Sequence, residues 1–409
     1  MIIALFILSS SLFVVSTGNV TASQEGGYIF STTETPFAAT ITTYTGQGGD
    51  IAIPATLGGH PTATIGQYAF RSANSVTSAI IPEGVTSIGS SAFAYCSNLT
   101  SVTVPDSVSS IGNWAFSFCP SLVNINVYSA NLNYKGVDGV LFDKNMTTLI
   151  QCPGARSGTF ADPAGVVRIE SEAFAICASI TSVEIPGSMI YIGDFAFSNC
   201  YGLTSMALPG NITGIGIAAF TYCTGLISVN IPGSVKTMGN GAFFQCSALT
   251  NVTLGNGLTT ISGSVFDYCT SLATITIPDC VTSIGIGAFY QCSALKSIKI
   301  PGNVTIIGNQ TFENCSSLRL ITFEGNAPSV GSNWASGCDA NLTISYPPGA
   351  VGFTIPTWNG IPSNQGSGGD LGTSAQSPND QVMAYAIVAA IIALFLALGI
   401  LIIRKRKNS

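Results

Sequence analysis

The sequence predicts a solenoid, in which short parallel strands stack one repeat unit above another. Three observations point to it. Ten of the twelve cysteines share one register: Cys96 and Cys119 are 23 residues apart, and Cys177, Cys200, Cys223, Cys246, Cys269, Cys292, Cys315 and Cys338 follow at the same interval. On that register the chain repeats the unit C-x-x-L-x-x-I/V-x-I/V-P-x-x-V-x-x-I-G-x-x-A-F-x-x-C. The unit opened by Cys223 supplies Leu226, Val229, Ile231, Pro232, Val235, Met238, Gly239, Ala242, Phe243 and Cys246. Self-similarity at a period of ~20–50 residues marks units that cannot bury their apolar face alone and must stack. Composition agrees, with 8% charged and 46% hydrophobic residues. That is far below the ~25% charge of an ordinary soluble domain, yet it lacks the high net charge of disorder.

Each part of the unit has a physical reading. L-x-x-I/V-x-I/V carries a period of two and fits a short strand. The proline that follows stops the strand. V-x-x-I-G makes a turn. A-F-x-x-C has the spacing of one apolar helical turn, α or 3₁₀, on the convex side. About 12 such units are expected, with neighbouring strands ~4.7–4.9 Å apart.

The two ends predict the compartment. Residues 1–22, MIIALFILSSSLFVVSTGNVTA, form an apolar run that ends in small residues and read as a signal peptide. Residues 382–403, VMAYAIVAAIIALFLALGILII, carry no charge and are long enough to span a bilayer as one transmembrane helix. Arg404 to Lys407 follow directly, so the tail 404–409 is expected in the cytoplasm. Residues 23–362 are then an extracellular ectodomain, and 363–381, rich in Gly, Ser and Asn, a flexible linker. The predicted location is the plasma membrane, single-pass, with the N-terminus outside.

Charge and motifs narrow the function. The chain has 13 Lys and Arg, 19 Asp and Glu, and a single His, for a net charge of −6. That balance gives no basic footprint for nucleic acid. One histidine leaves no multi-His metal site, and no phosphate-binding loop, dinucleotide fingerprint or G-x-S-x-G motif occurs. No catalytic residue, metal ligand or cofactor is therefore predicted, and the chain is not expected to be an enzyme. His60, in GGHP, reads as a turn residue.

The register breaks in three places. Cys119 and Cys177 are 58 residues apart, so the unit at 128–162 carries an insertion, in which VDGVLFDKNMTTLI predicts a hairpin. The first unit has Ala73 where others have Cys, and 324–362 has Trp334-Ala335 where others have Ala-Phe. Both read as caps that hide the open ends of the stack. The cysteines themselves are expected as a column of buried free thiols. Stacked Cβ atoms near 4.8 Å lie outside the ~3.5–4.5 Å that a disulfide prefers. Cys152 and Cys280 lie off the register.

The pattern resembles the leucine-rich repeats of the BspA-like surface proteins, the Treponema-type subclass with a 23-residue unit. IPEGVTSIGSSAF at 81–93 carries the resemblance most closely, with DGVLF at 138–142 and the two end segments, 39–59 and 346–362. It covers about residues 28–362. The anchor and basic tail further resemble the membrane-anchored versions of parasitic protists such as trichomonads. The resemblance implies a leucine-rich repeat solenoid that mediates adhesion to, or recognition of, host cells, extracellular matrix proteins or other microbes. The partners are then protein or glycan ligands. A surface-coat protein that associates laterally with its own kind is the alternative.

Candidate contact residues follow from the unit. The strand face exposes the x positions, mostly hydroxyl and amide side chains, and turns basic at Lys296, Lys299 and Arg319. A second column precedes each cysteine and includes Tyr95, Phe118, Tyr222 and Tyr268. N-x-S/T sequons at Asn98, Asn145, Asn211, Asn251, Asn303, Asn309, Asn314 and Asn341 are glycosylation candidates.

Overall fold

The computed structural model describes residues 22–365. The chain divides into two units, Met1–Leu371 and Gly372–Ser409, the second wholly outside the described residues. The signal-peptide run to residue 21, the segment 382–403 and the tail 404–409 also lie outside them. Among the described residues no helix is long and apolar enough to cross a membrane.

The L-x-x-I/V-x-I/V motif forms the predicted strand in nearly every turn. Gly49–Ala52, Val76–Ile80, Ser101–Val104 and Asn124–Val127 make a first parallel run. Ser157–Ala161, Ser179–Glu184, Ser205–Ala207, Ser228–Ile231 and Asn251–Leu254 make a second. Ser297–Ile300, Leu320–Phe323, Thr343–Tyr346 and Ile361–Gln365 make a third. These thirteen strands, with the unassigned run 272–277 between the second and third groups, give fourteen turns rather than the expected twelve. The surplus lies at the ends and insertion, where the cysteine is missing and the count by register falls short. Register is held at one unit per turn: Ser182 pairs with Ser205, Ser205 with Ser228, and Ser228 with Asn251.

The expected helical turn is absent. The described residues contain no helix. V-x-x-I-G instead gives two-residue strands, such as Ser87–Ile88, Tyr191–Ile192 and Ser283–Ile284, that pair in parallel from turn to turn. A-F-x-x-C forms a third ladder of alternating bonds. Ser91, Phe93 and Tyr95 donate their N–H groups to Asn113, Ala115 and Ser117 of the next turn, at 2.9, 2.7 and 3.0 Å. Ala92 and Ala94 donate within their own turn, to Gly89 and Ser91. This alternation needs a left-handed residue twice per turn, at the position before each cysteine and four residues earlier. Ser91 and Tyr95 have φ of 54° and 63°, and Ser264 and Tyr268 have 52° and 58°. A helix needs a continuous right-handed run, so these residues forbid one.

The glycine of V-x-x-I-G is a close-approach position. A Cβ on Gly239 would stand 2.4 Å from the Ile217 backbone nitrogen, and one on Gly112 would stand 2.4 Å from that of Ser90. Successive turns touch there, backbone to backbone. Glu170 occupies this position in the turn that follows the insertion.

The core is a ladder of phenylalanines. Phe174, Phe197, Phe220, Phe243, Phe266, Phe289 and Phe312 are fully buried, with centroids 4.7–5.8 Å apart and planes within 19°. Phe70, Phe93 and Phe116 form the same ladder before the insertion. Offset stacking at this spacing adds to simple burial. The in-register cysteines lie beside it. Nine thiols, from Cys96 to Cys338, each reach the carbonyl of the phenylalanine 26 residues earlier, at 3.0–3.3 Å. All twelve cysteines are free, as expected, and ten are buried. Burial pushes the Cys200, Cys246, Cys269 and Cys292 thiols well above the usual range. Thiolate is the reactive form. A thiol reagent should therefore find at most the half-buried Cys280 and Cys338 in the native protein, and all twelve after denaturation. Rapid native labelling of more than two would contradict this column.

The insertion divides the molecule. Tyr134–Val137, Val140–Asp143 and Thr148–Gln151 form an antiparallel meander. Asp138 and Gly139, with φ of 50° and 79°, make the predicted hairpin turn. Cys152 takes the phenylalanine's place in the third ladder, its N–H 2.7 Å from the Ala173 carbonyl. The buried apolar residues fall into two clusters that meet here, Tyr28 to Leu141 and Val140 to Trp358.

Both caps are present. An antiparallel meander, Ser23–Glu25, Tyr28–Glu34 and Phe37–Tyr44, covers the first turn. Trp334, Phe353 and Trp358 close the other end, where Trp334 meets Phe312 edge-on at 6.2 Å. Ser363, Asn364 and Gln365, placed in the linker by the sequence, pair with Ile344, Ser345 and Tyr346, and the rest of the expected linker, 366–381, lies outside the described residues.

Candidate recognition surface

The strand alternation turns one side chain in and the next out, and stacking aligns the outward ones in columns. The structure exposes or half-exposes every predicted x position, from Thr100 to Thr322. The longest unbroken stretch runs from Ser157–Ala161 to Asn251–Leu254. There Thr159, Ser182, Ser205, Ser228 and Asn251 form one column, and Ala161, Glu184, Ala207, Asn230 and Thr253 its neighbour. Thr159 and Ser182 share a hydrogen bond of 2.9 Å between their hydroxyls. Hydroxyls before the strand bond back to the preceding turn, as Thr204 does to the Thr181 carbonyl and Thr250 to that of Ile227. The result is a rigid polar surface with isolated apolar side chains, among them Val123, Ile227 and Leu320.

The predicted basic end is largely neutralised. Lys299 Nζ lies 3.0 Å from Glu324 Oε1, and Arg319 Nε lies 2.9 Å from Asp339 Oδ2. The Asn341 N–H and the Arg319 guanidinium hold the Asp339 carboxyl below the usual carboxylate range. Lys296 is exposed beside them. The acids lie 25 and 20 residues beyond their partners, one turn further along the stack.

The column before each cysteine is half-buried. Tyr95 and Phe118 stack at 4.8 Å with planes 9° apart, and Arg71 sits 4.9 Å from the Tyr95 ring. Tyr222, Phe244, Tyr268 and Tyr290 make a zigzag of tilted and edge-on rings at 5.6–5.9 Å. Phe244 and Tyr290 belong to the neighbouring position, which sequence reasoning missed. Of the sequons, Asn98, Asn145, Asn211, Asn251, Asn303 and Asn341 are exposed, while Asn309 and Asn314 are half-buried. The Asn309 carbonyl oxygen accepts the Ser332 N–H at 2.8 Å, and the Asn314 amide reaches the Tyr290 hydroxyl at 3.3 Å. His60 belongs to the first cap, 3.1 Å from Glu34 and against the Phe37 ring.

Three acids are buried. Asp162 stands where other turns place Ile231 or Leu208, and burial pushes its carboxyl up to about 7. Neither of its oxygens has a hydrogen-bond partner. Glu172 is pushed to about 7 and Asp267 to about 8, again chiefly by burial. Among the described residues no group of His, Cys, Asp and Glu could hold a metal ion.

Stacked parallel strands, an apolar ladder at a fixed period and capped ends define a leucine-rich repeat solenoid. The chain belongs to the BspA-type family: the model of a BspA type leucine rich repeat region of six copies matches residues 63–150, 157–273 and 226–341. Among solved structures, a leucine-rich repeat protein from Bacteroides ovatus is 24% identical with a TM-score of 0.51, covering 84% of this chain and 97% of that one. One from Eubacterium ventriosum is 20% identical with a TM-score of 0.48, over 77% and 93%. A leucine rich cell surface protein from Faecalibacterium prausnitzii is 29% identical with a TM-score of 0.43, over 78% and 98%. No curated protein sequence matches the chain.

Proposed function

We propose that the chain is a non-enzymatic surface protein that recognises protein or glycan ligands on host cells, matrix or other microbes through its strand face. The carrying observation is the register of Ser182, Ser205, Ser228 and Asn251, which spaces three hydroxyls and an amide at regular intervals along one rigid surface. Such a surface suits an extended partner and loses little conformational entropy on binding. Membership of the BspA-type family supports the same reading. In this proposal 382–403 holds the solenoid at the plasma membrane as a single pass with its N-terminus outside, in the anchored form that the sequence resembles. The exposed sequons carry glycans.

Binding of the purified protein to epithelial cells and matrix proteins tests it. Saturable binding is expected, with little change between ~50 and ~200 mM salt, since Lys299 and Arg319 are already paired. Ser205→Arg with Ser228→Arg should weaken it at least about tenfold, ~1.4 kcal/mol, without loss of fold. Binding untouched by that pair would move the site off the strand face. No binding, with light scattering that grows with concentration, would favour the coat reading.

A further inference from the structure

The insertion opens a cleft between two turns, and its lining has the chemistry of a small-ligand site. The two-residue ladder that runs through Ser87–Ile88 and Ser110–Ile111 stops at the latter strand and resumes in a separate sheet at Thr148–Gln151. One unit further on, the backbone of Tyr134 turns into the meander, and only its side chain returns, its hydroxyl accepting the Ile111 N–H at 2.8 Å. The parted turns leave a cleft of about 280 Å³. Its walls include Asn113, Trp114, Tyr134, Thr148, Glu170 and Ser171. Most turns carry a glycine at the position that Glu170 fills here; the Glu170 N–H still bonds the Leu149 carbonyl at 2.9 Å, and its side chain lines the cleft.

We infer that this cleft binds a neutral sugar ring, a hexose or N-acetylhexosamine unit of a glycan. Size comes first: 280 Å³ lies just below the ~300–1,000 Å³ of small-molecule pockets, which suits one or two rings and excludes a folded partner. The walls offer an exposed indole at Trp114 and a phenol at Tyr134, flat apolar surfaces for the C–H face of a pyranose. Around them stand an amide, two hydroxyls and a carboxylate, which accept and donate the bonds that sugar hydroxyls need. The cation beside the cleft, Arg168, is spent on Glu170 at 2.8 Å and on the Tyr191 ring, so an anionic ligand has no partner. The Asp143 carboxylate is likewise engaged, by the N–H groups of Thr147 and Thr148 and the Thr147 hydroxyl. This site lies apart from the strand face and does not depend on it.

The chain provides its own reporter. Of its three tryptophans, Trp334 and Trp358 are buried in the C-terminal cap and Trp114 is exposed in the cleft. The full chain in detergent would be titrated with glucose, galactose, mannose, N-acetylglucosamine and lactose, and followed by tryptophan fluorescence and ligand-detected NMR. At least one sugar should give a saturable change. Trp114→Phe should abolish the fluorescence change, and Glu170→Gln and Asn113→Ala should each weaken binding at least about tenfold by NMR. Ser205→Arg should leave it unchanged, with native circular dichroism as the check on folding in each variant. No saturable response to any sugar overturns the inference. So does equal sugar binding by the Glu170→Gln and Asn113→Ala variants, or saturable binding of arginine amide in place of every sugar.

Discussion

Replacing Phe220 by alanine should cost the solenoid about 3–5 kcal/mol, the largest expected loss from a single side chain. The ring is fully buried and lies parallel to Phe197 and Phe243, 5.1 Å from each and within 2° of both. Its removal takes away transfer energy and two stacked pairs, each worth ~0.5–1.5 kcal/mol beyond burial. The neighbours cannot collapse into the gap, because the Cys246 thiol and the third backbone ladder hold the adjacent turns in register. Denaturant unfolding with hydrogen exchange would measure both size and reach. Exchange should rise first in the turns on either side of residue 220, since a stacked array propagates damage through its nearest neighbours. Phe220→Leu should cost less. A loss below about 1 kcal/mol for the alanine variant would show that the ladder contributes little.

The second large effect is one of pH. Asp162 and Glu172 are pushed to about 7 and Asp267 to about 8, all by burial. Their unfolded values lie near ~3.9–4.3. A folded-state value above the unfolded one means that the native protein holds its proton more tightly. The stabilisation is complete below about pH 4 and is lost as pH rises through about 7 to 8. The solenoid should therefore be more stable near pH 5 than near pH 8.5, by an amount on the order of 2–4 kcal/mol per site. Asp162→Val restores the apolar residue that other turns carry there, so it should raise stability at pH 8.5 and flatten the profile. Denaturation midpoints of both proteins at the two pH values decide it. An equal midpoint for the wild type at both would sink the assignment of these buried carboxyls.

Much of the fold was legible because the stack repeats its chemistry at a fixed interval. Cys223, Leu226, Ile231 and Phe243 each hold a buried position that recurs one turn away, so periodicity alone specifies register, core and outward columns. The helical turn was misread because A-F-x-x-C has helical spacing, and spacing does not report φ. Tyr95 and Ser91 look like any helix residue until their left-handed backbone is seen. The neutralised basic end was hidden differently. Glu324 and Asp339 are distant in sequence from Lys299 and Arg319, though they are neighbours once the chain is wound. Glu170 departs from the glycine of most turns, as Ser262 also does, so the departure alone does not mark the cleft. Only the structure showed that Trp114 and Tyr134 face the same gap.

The constant thiol-to-carbonyl offset of 26 residues has an evolutionary consequence. Turns from 177 to 315 share this bond, so excising or duplicating a 23-residue segment there preserves it at the joint. Gene copies that gain or lose whole segments by unequal recombination would differ in reach by steps of ~4.7–4.9 Å while keeping the same chemistry along their length. The protein is in this sense a ruler, whose length can drift between generations without a redesign of its ends.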